Sequence, residues 1–126
     1  MKNSNAASVY RQNSVLTASP EKVVKLLYDG AIRHMETCRS QLSDPGTSHI
    51  AATGESISKA FAIVSELRTS LDHQAGGEIS GNLDRLYEFT LHQLSKANVE
   101  RSAEPVERGL HVMRTLKEGW DGIIAS

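Results

Sequence analysis

The stretch LTASPEKVVKLLYDGAIRHME, residues 16–36, decides how the chain is read. Ser19 is a good N-cap, Pro20 suits the first helical position where no N–H is needed, and Glu21 complements the positive end of a helix. Beyond them Val24, Leu27, Tyr28, Ala31, Met35, Cys38 and Leu42 recur at three- and four-residue spacing, which is one face of an α-helix. The pattern runs straight through Gly30, although glycine inside a helix costs about 1 kcal/mol relative to alanine. A glycine there lets another backbone come close. Packing against a neighbouring helix of the same chain is the reading that local reasoning favours; room for a bound chain is the other.

The same periodicity recurs three more times. SDPGTS (43–48) is a turn cluster, after which a second helix is predicted to about His73, with Ile57, Phe61, Val64, Leu67 and Leu71 on its stripe. Ala75-Gly76-Gly77 breaks the pattern. A third helix, from about Glu78 to Val99, carries Ile79, Leu83, Leu86, Thr90, Leu94 and Ala97. Pro105 then fits the first turn of a fourth, whose stripe is Val106, Leu110, Met113, Leu116, Trp120 and Ile123. Four amphipathic helices with short links bury their stripes only against one another, so the expected fold is an all-α antiparallel four-helix bundle over residues 17–126. Residues 1–16 are small and polar apart from Val9, Tyr10, Val15 and Leu16 and read as an N-terminal arm. Lys25, inside the apolar VVKLL run, is expected to point to solvent, and Gly54, Gly109 and Gly119 to weaken their helices.

With 126 residues the chain is one domain, long enough to bury a core without metal or disulfides. The net charge of −1, with acids and bases interspersed, argues against a nucleic-acid partner, which calls for a basic face. The single cysteine, Cys38, excludes an intramolecular disulfide and fits a reducing cytosol. No signal peptide or run long enough to insert in a membrane is present, so the expected location is the cytoplasm.

The motifs of chemistry are mostly missing. None of His34, His49, His73, His92 and His111 has a glutamate three residues before it, as a di-iron bundle requires, and one cysteine cannot build a zinc cage. Gly76-Gly77 lacks the lysine and hydroxyl of a phosphate loop. No cofactor and no catalytic residue are expected. One enzymatic alternative survives: a histidine phosphotransfer domain using His92, with Lys96 four residues on along the same face. Its pattern is only half met, because Ser95 stands where that family has lysine and Lys96 where it has glycine.

Taken together, TASPEKVVKLLYDGAIR, ISKAFAIVSELRTSLDHQAGGEISGNLDRLYEFTLHQLSKAN and LHVMRTLKEGW resemble the flagellar secretion chaperone FliS family, from about Tyr10 to Ile124. The resemblance implies an antiparallel four-helix bundle without enzymatic activity or cofactor. It also implies a cytoplasmic chaperone that binds the C-terminal region of flagellin, prevents premature polymerisation and delivers it to the flagellar type III export apparatus, with an export-gate component as a further partner. A client that folds on binding needs apolar surface outside the host's own core. The residues expected to line such a groove are Ile57, Phe61, Val64 and Leu67 on the second helix and Leu83, Tyr87, Leu91, Leu94 and Asn98 on the third, where Ile63 also widens the second helix's apolar face. The Asn98 amide can bond either a client backbone or the carbonyls of its own helix end. Val9, Tyr10, Val15 and Leu16 are the expected temporary cover of that surface.

Overall fold

The computed structural model describes residues 20–125, with side chains from 21 to 122. Four helices follow one another: α1 (Pro20–Ser43), α2 (Ala51–Thr69), α3 (His73–Glu100) and α4 (Glu104–Ala125). They form a ring in which α1 packs on α2 and α4, and α3 packs on α2 and α4. Contacts between helices run in opposite senses along the chain, as in the pairs Lys25–Asp121 and Glu36–Arg114. The expected antiparallel bundle is therefore the observed one. Ser19 and the residues of the arm, Val9, Tyr10, Val15 and Leu16, lie outside the described residues, as does the side chain of Ile123.

The core follows the predicted stripes closely on α1 and α4. Leu27, Tyr28, Ala31, Met35, Cys38 and Leu42 are buried, with Val106, Leu110 and Met113 opposite them. At the start of α1 it is Val23 that enters the core, while Val24 is only half-buried. On α3 the stripe rotates. Tyr87, Thr90, Leu94 and Ala97 are buried, whereas Leu86 and Ile79, expected inside, are exposed at 36% and 70%. Phe61 of α2 is likewise exposed. Periodicity alone does not resolve which of two adjacent apolar residues faces inward, because neighbours differ by only about 100° around the axis.

The connections explain the element ends. In the first turn Asp44 accepts from the N–H of Gly46 at 2.9 Å, and the Thr53 hydroxyl donates to the Thr47 carbonyl at 2.6 Å. Helix α2 stops at Thr69, earlier than the expected His73, because Ser70 already caps it. Asp72 then caps α3, accepting from the N–H groups of Gln74 and Ala75 at 3.2 and 3.0 Å. The expected break survives as a kink: Gly77 sits at φ 54°, a left-handed conformation that glycine adopts without a Cβ penalty. Regular helix resumes at Glu78, where the third helix was expected to begin. Arg101, also at positive φ, ends α3.

Gly30 is buried, and a Cβ there would come within 3.3 Å of Ile63 Cδ1. The glycine therefore serves the approach of α1 to α2, the internal-packing reading. A tighter case is Gly109, where a Cβ would meet Met35 Cε at 3.0 Å and Thr90 Cγ2 at 3.3 Å. What reads in sequence as a weak point of α4 is the place where α4 sits against both α1 and α3. Lys25 is also corrected: its ammonium reaches Asp29 at 3.6 Å and Asp121 at 3.4 Å instead of pointing freely to solvent. With Lys117, 3.5 Å from Asp29 and 3.2 Å from Asp121, it forms an alternating lattice across α1 and α4.

Candidate functional site

Helices α2 and α3 run side by side and are pinned near both ends by arginines. Arg68 Nε donates to Asp84 at 2.8 Å, and Arg101 Nη1 donates to the Ile50 carbonyl at 3.4 Å. The hydrogen bond from Arg68 holds the Asp84 carboxyl below the usual carboxylate range. Between the pins, nearer Arg101, the helices part into a groove of about 170 Å³ lined by Ile57, Ser58, Phe61 and Ala62 of α2 and by Leu94, Ser95 and Asn98 of α3. Ile57 and Leu94 form a floor sealed from solvent, while Phe61, 37% exposed, and Asn98 stand at the rim. Gly54, one turn before Ile57, leaves room for the α3 end: a Cβ there would lie 3.3 Å from Arg101 Nη2 and 3.8 Å from Asn98 Oδ1.

Of the nine residues expected to line the groove, Ile57, Phe61, Leu94 and Asn98 do so. Val64, Leu67 and Tyr87 are instead core residues with at most 2% of their surface exposed. Leu83 and Leu91 are half-buried and pack against the core. The reason is that a bundle stripe and a groove stripe are both apolar at helical spacing, and the core claims the residues nearest the bundle axis. Ser58, Ala62 and Ser95 went unnoticed because small and polar residues carry no hydrophobic signal. Their spacing of three or four from Phe61, Ser58 and Asn98 is what could have found them.

The other candidates are placed as follows. Cys38 is fully buried, its thiol donates to the Met35 carbonyl, and burial pushes its pKa up to about 11, which keeps it a thiol at neutral pH. His92 and Lys96 are both exposed on α3. No group of three or more histidine, cysteine, aspartate or glutamate side chains converges among the described residues. No described helix is long and apolar enough to cross a membrane.

Fold and groove together define a helical bundle with an open cleft between two of its helices. The family model described as flagellar protein FliS matches residues 1–126. The chain is 34% identical over 109 residues to the flagellar secretion chaperone FliSB of Pseudomonas aeruginosa, an alignment covering 86% of this chain and 84% of that protein. To the flagellar secretion chaperone FliS of Salmonella typhimurium it is 32% identical over 118 residues, covering 93% and 85%. To that of Vibrio cholerae it is 33% identical over 106 residues, covering 84% and 76%. The chain belongs to the FliS family. Its role is accordingly that of a flagellar export chaperone, and membership of a chaperone family implies that it is not an enzyme.

Proposed function

We propose that the chain binds the C-terminal region of flagellin in the cytoplasm, prevents its premature polymerisation and delivers it to the flagellar type III export apparatus, where an export-gate component is a further partner. The observation that carries this reading is the α2–α3 groove: an apolar floor of Ile57 and Leu94, an aromatic ring at Phe61 left outside the core, and the Asn98 amide at the opposite lip. Such a groove suits an amphipathic segment that lays apolar anchors inward while its backbone bonds the amide. The family relationship supplies the flagellar context. Before the client arrives, the N-terminal residues Val9, Tyr10, Val15 and Leu16 cover part of this surface. Phosphotransfer through His92 gains no support from membership of a chaperone family.

The test is titration of the full chain with a flagellin C-terminal segment, followed by calorimetry and circular dichroism. A one-to-one complex with more helix than its separated parts is expected. Phe61→Asp, at an exposed position and so compatible with folding, should weaken it by at least about tenfold, since burying an uncompensated carboxylate costs more than 1.4 kcal/mol. Binding by the Phe61→Asp variant equal to that of the parent chain would overturn the reading.

A further inference from the structure

A second groove opens on the other flank of α3, against α4, and the α2–α3 reading makes no use of it. It has a volume of about 390 Å³ and is lined by Phe89, Glu104, Glu107, Arg108, His111 and Val112. Phe89 is 40% exposed, and a hydrogen bond of 3.1 Å from Arg108 to Gln93 sets the register of α4 against α3 just beyond it. From that register the antiparallel helices bring Leu86 and Ile79 of α3 level with the later turns of α4. Leu86 and Ile79 are exposed there, and at Gly119 and Gly122 an added Cβ would meet nothing within 4 Å. The α3 side of this stretch is thus apolar, while α4 carries Val112 and His111 and then the open glycine position 119. Such a trough offers a helix an apolar seat between Phe89 and Val112.

Charge indicates which kind of helix. At the α4 N-terminal end Glu100, Glu104 and Glu107 are exposed, as are Lys96 and Arg108. Arg108 is already engaged, by Glu104 at 3.2 Å and by Gln93. Further along, Glu118 on α4 and Arg85 on α3 stand exposed, and Arg85 hydrogen-bonds Asn82. Among the lining residues Glu104 and Glu107 stand against the single Arg108, so the groove carries one negative charge in surplus. We propose that the α3–α4 trough is a second docking surface, and that its occupant is an amphipathic helix of a partner protein whose apolar stripe is flanked by lysine or arginine.

The probe is a set of three helical peptides sharing one apolar stripe at i, i+3, i+7 and i+10, flanked by lysine, serine or glutamate, titrated into the full chain by fluorescence anisotropy. The lysine-flanked peptide should bind more tightly than the glutamate-flanked one by about fivefold, the scale of one or two exposed ion pairs. Phe89→Asp should abolish binding, Glu104→Gln with Glu107→Gln should remove most of the ranking, and Phe61→Asp should leave it unchanged. Circular dichroism of each variant separates loss of binding from loss of fold. Binding of no peptide, a ranking that favours glutamate, or insensitivity to Phe89→Asp overturns the proposal. So does a concentration-dependent dimer in sedimentation that Phe89→Asp abolishes, since the occupant is then a second copy of this chain. Because the flagellin titration reads the α2–α3 groove through Phe61, the two proposals fail independently.

Discussion

The hydroxyls of Tyr28 and Tyr87 meet 2.5 Å apart in the middle of the bundle, joining α1 to α3 across its diagonal. The rings lie 6.3 Å apart at a tilt of 51°, and the Trp120 ring of α4 packs on Tyr28 at 6.5 Å. Burial pushes both phenols above their ordinary pKa, so the pair stays protonated and each hydroxyl has the other as its partner. Tyr28→Phe strands the Tyr87 hydroxyl, whereas Tyr87→Phe leaves the Tyr28 hydroxyl its hydrogen bond with the Trp120 side chain. Tyr28→Phe should cost about 1–3 kcal/mol and Tyr87→Phe less, while the double variant should cost clearly less than the sum. Urea denaturation of the four proteins gives the coupling directly, and additive losses would show that the pair is not a unit.

Two glycines of α4 should respond to alanine with opposite signs. At Gly119 nothing lies within 4 Å of an added Cβ, so Gly119→Ala should stabilise the bundle by up to about 1 kcal/mol through helix propensity alone. At Gly109 the methyl would press on Met35 and Thr90, both fully buried, and overpacking of this kind costs about 1–3 kcal/mol. Gly109→Ala should therefore lower the midpoint of urea denaturation and Gly119→Ala raise it. Equal shifts would mean that the α4 contact with its neighbours is looser than described.

Stability should fall as the solution is acidified, in two separate ranges. Burial, then the nearby charges of Arg33 and Lys59, lowers the His34 pKa below the ordinary value near 6.5. The unfolded chain therefore takes up this proton first, so the contribution is complete above pH ~6.5 and declines as pH falls through that value. His34→Gln should flatten the thermal midpoint between pH 8 and 5.5. Asp84 and Asp121 are depressed instead, by hydrogen bonds from Arg68 and Lys117 respectively. Their contribution is present above pH ~4 and is lost only as pH falls through the lower folded-state values. Arg68→Met should remove the Asp84 part of that acid limb.

Deleting residues 2–15 tests the proposed cover. If the arm competes with the client for the groove, the truncated chain should bind the flagellin segment more tightly, because no cover has to be displaced, and should be less soluble when alone. Calorimetry and static light scattering read the two effects. No change in either, together with a silent Tyr10→Ala, would leave the arm without this role.

Asn98→Ala separates the polar lip from the apolar floor. Loss of the amide should weaken flagellin binding by several-fold if it bonds the client backbone, on the scale of about 0.5–1.5 kcal/mol for one hydrogen bond. The denaturation midpoint should not move, since α3 ends at Arg101 and Asn98 is exposed. A shift in stability without a shift in affinity would assign the amide to the helix end instead.

Much of this protein was legible along the chain. Four apolar stripes at helical spacing, separated by SDPGTS, Gly76-Gly77 and the segment before Pro105, have no other way of leaving water than a bundle, so class and topology follow from local chemistry and the hydrophobic effect. A break at Gly76-Gly77 was readable as well, though the helical turn that precedes it in α3, capped by Asp72, was not. What only the assembled structure decided was the rotation of each helix about its own axis. Tyr87 turned inward to meet Tyr28 while Leu86 turned out, and Phe61 was left at the groove while Val64 went to the core. The same holds for Gly109, a weak helix residue by propensity and a close contact in three dimensions. Those choices depend on which side chains of other helices fill the space opposite, and a one-dimensional pattern does not contain that information.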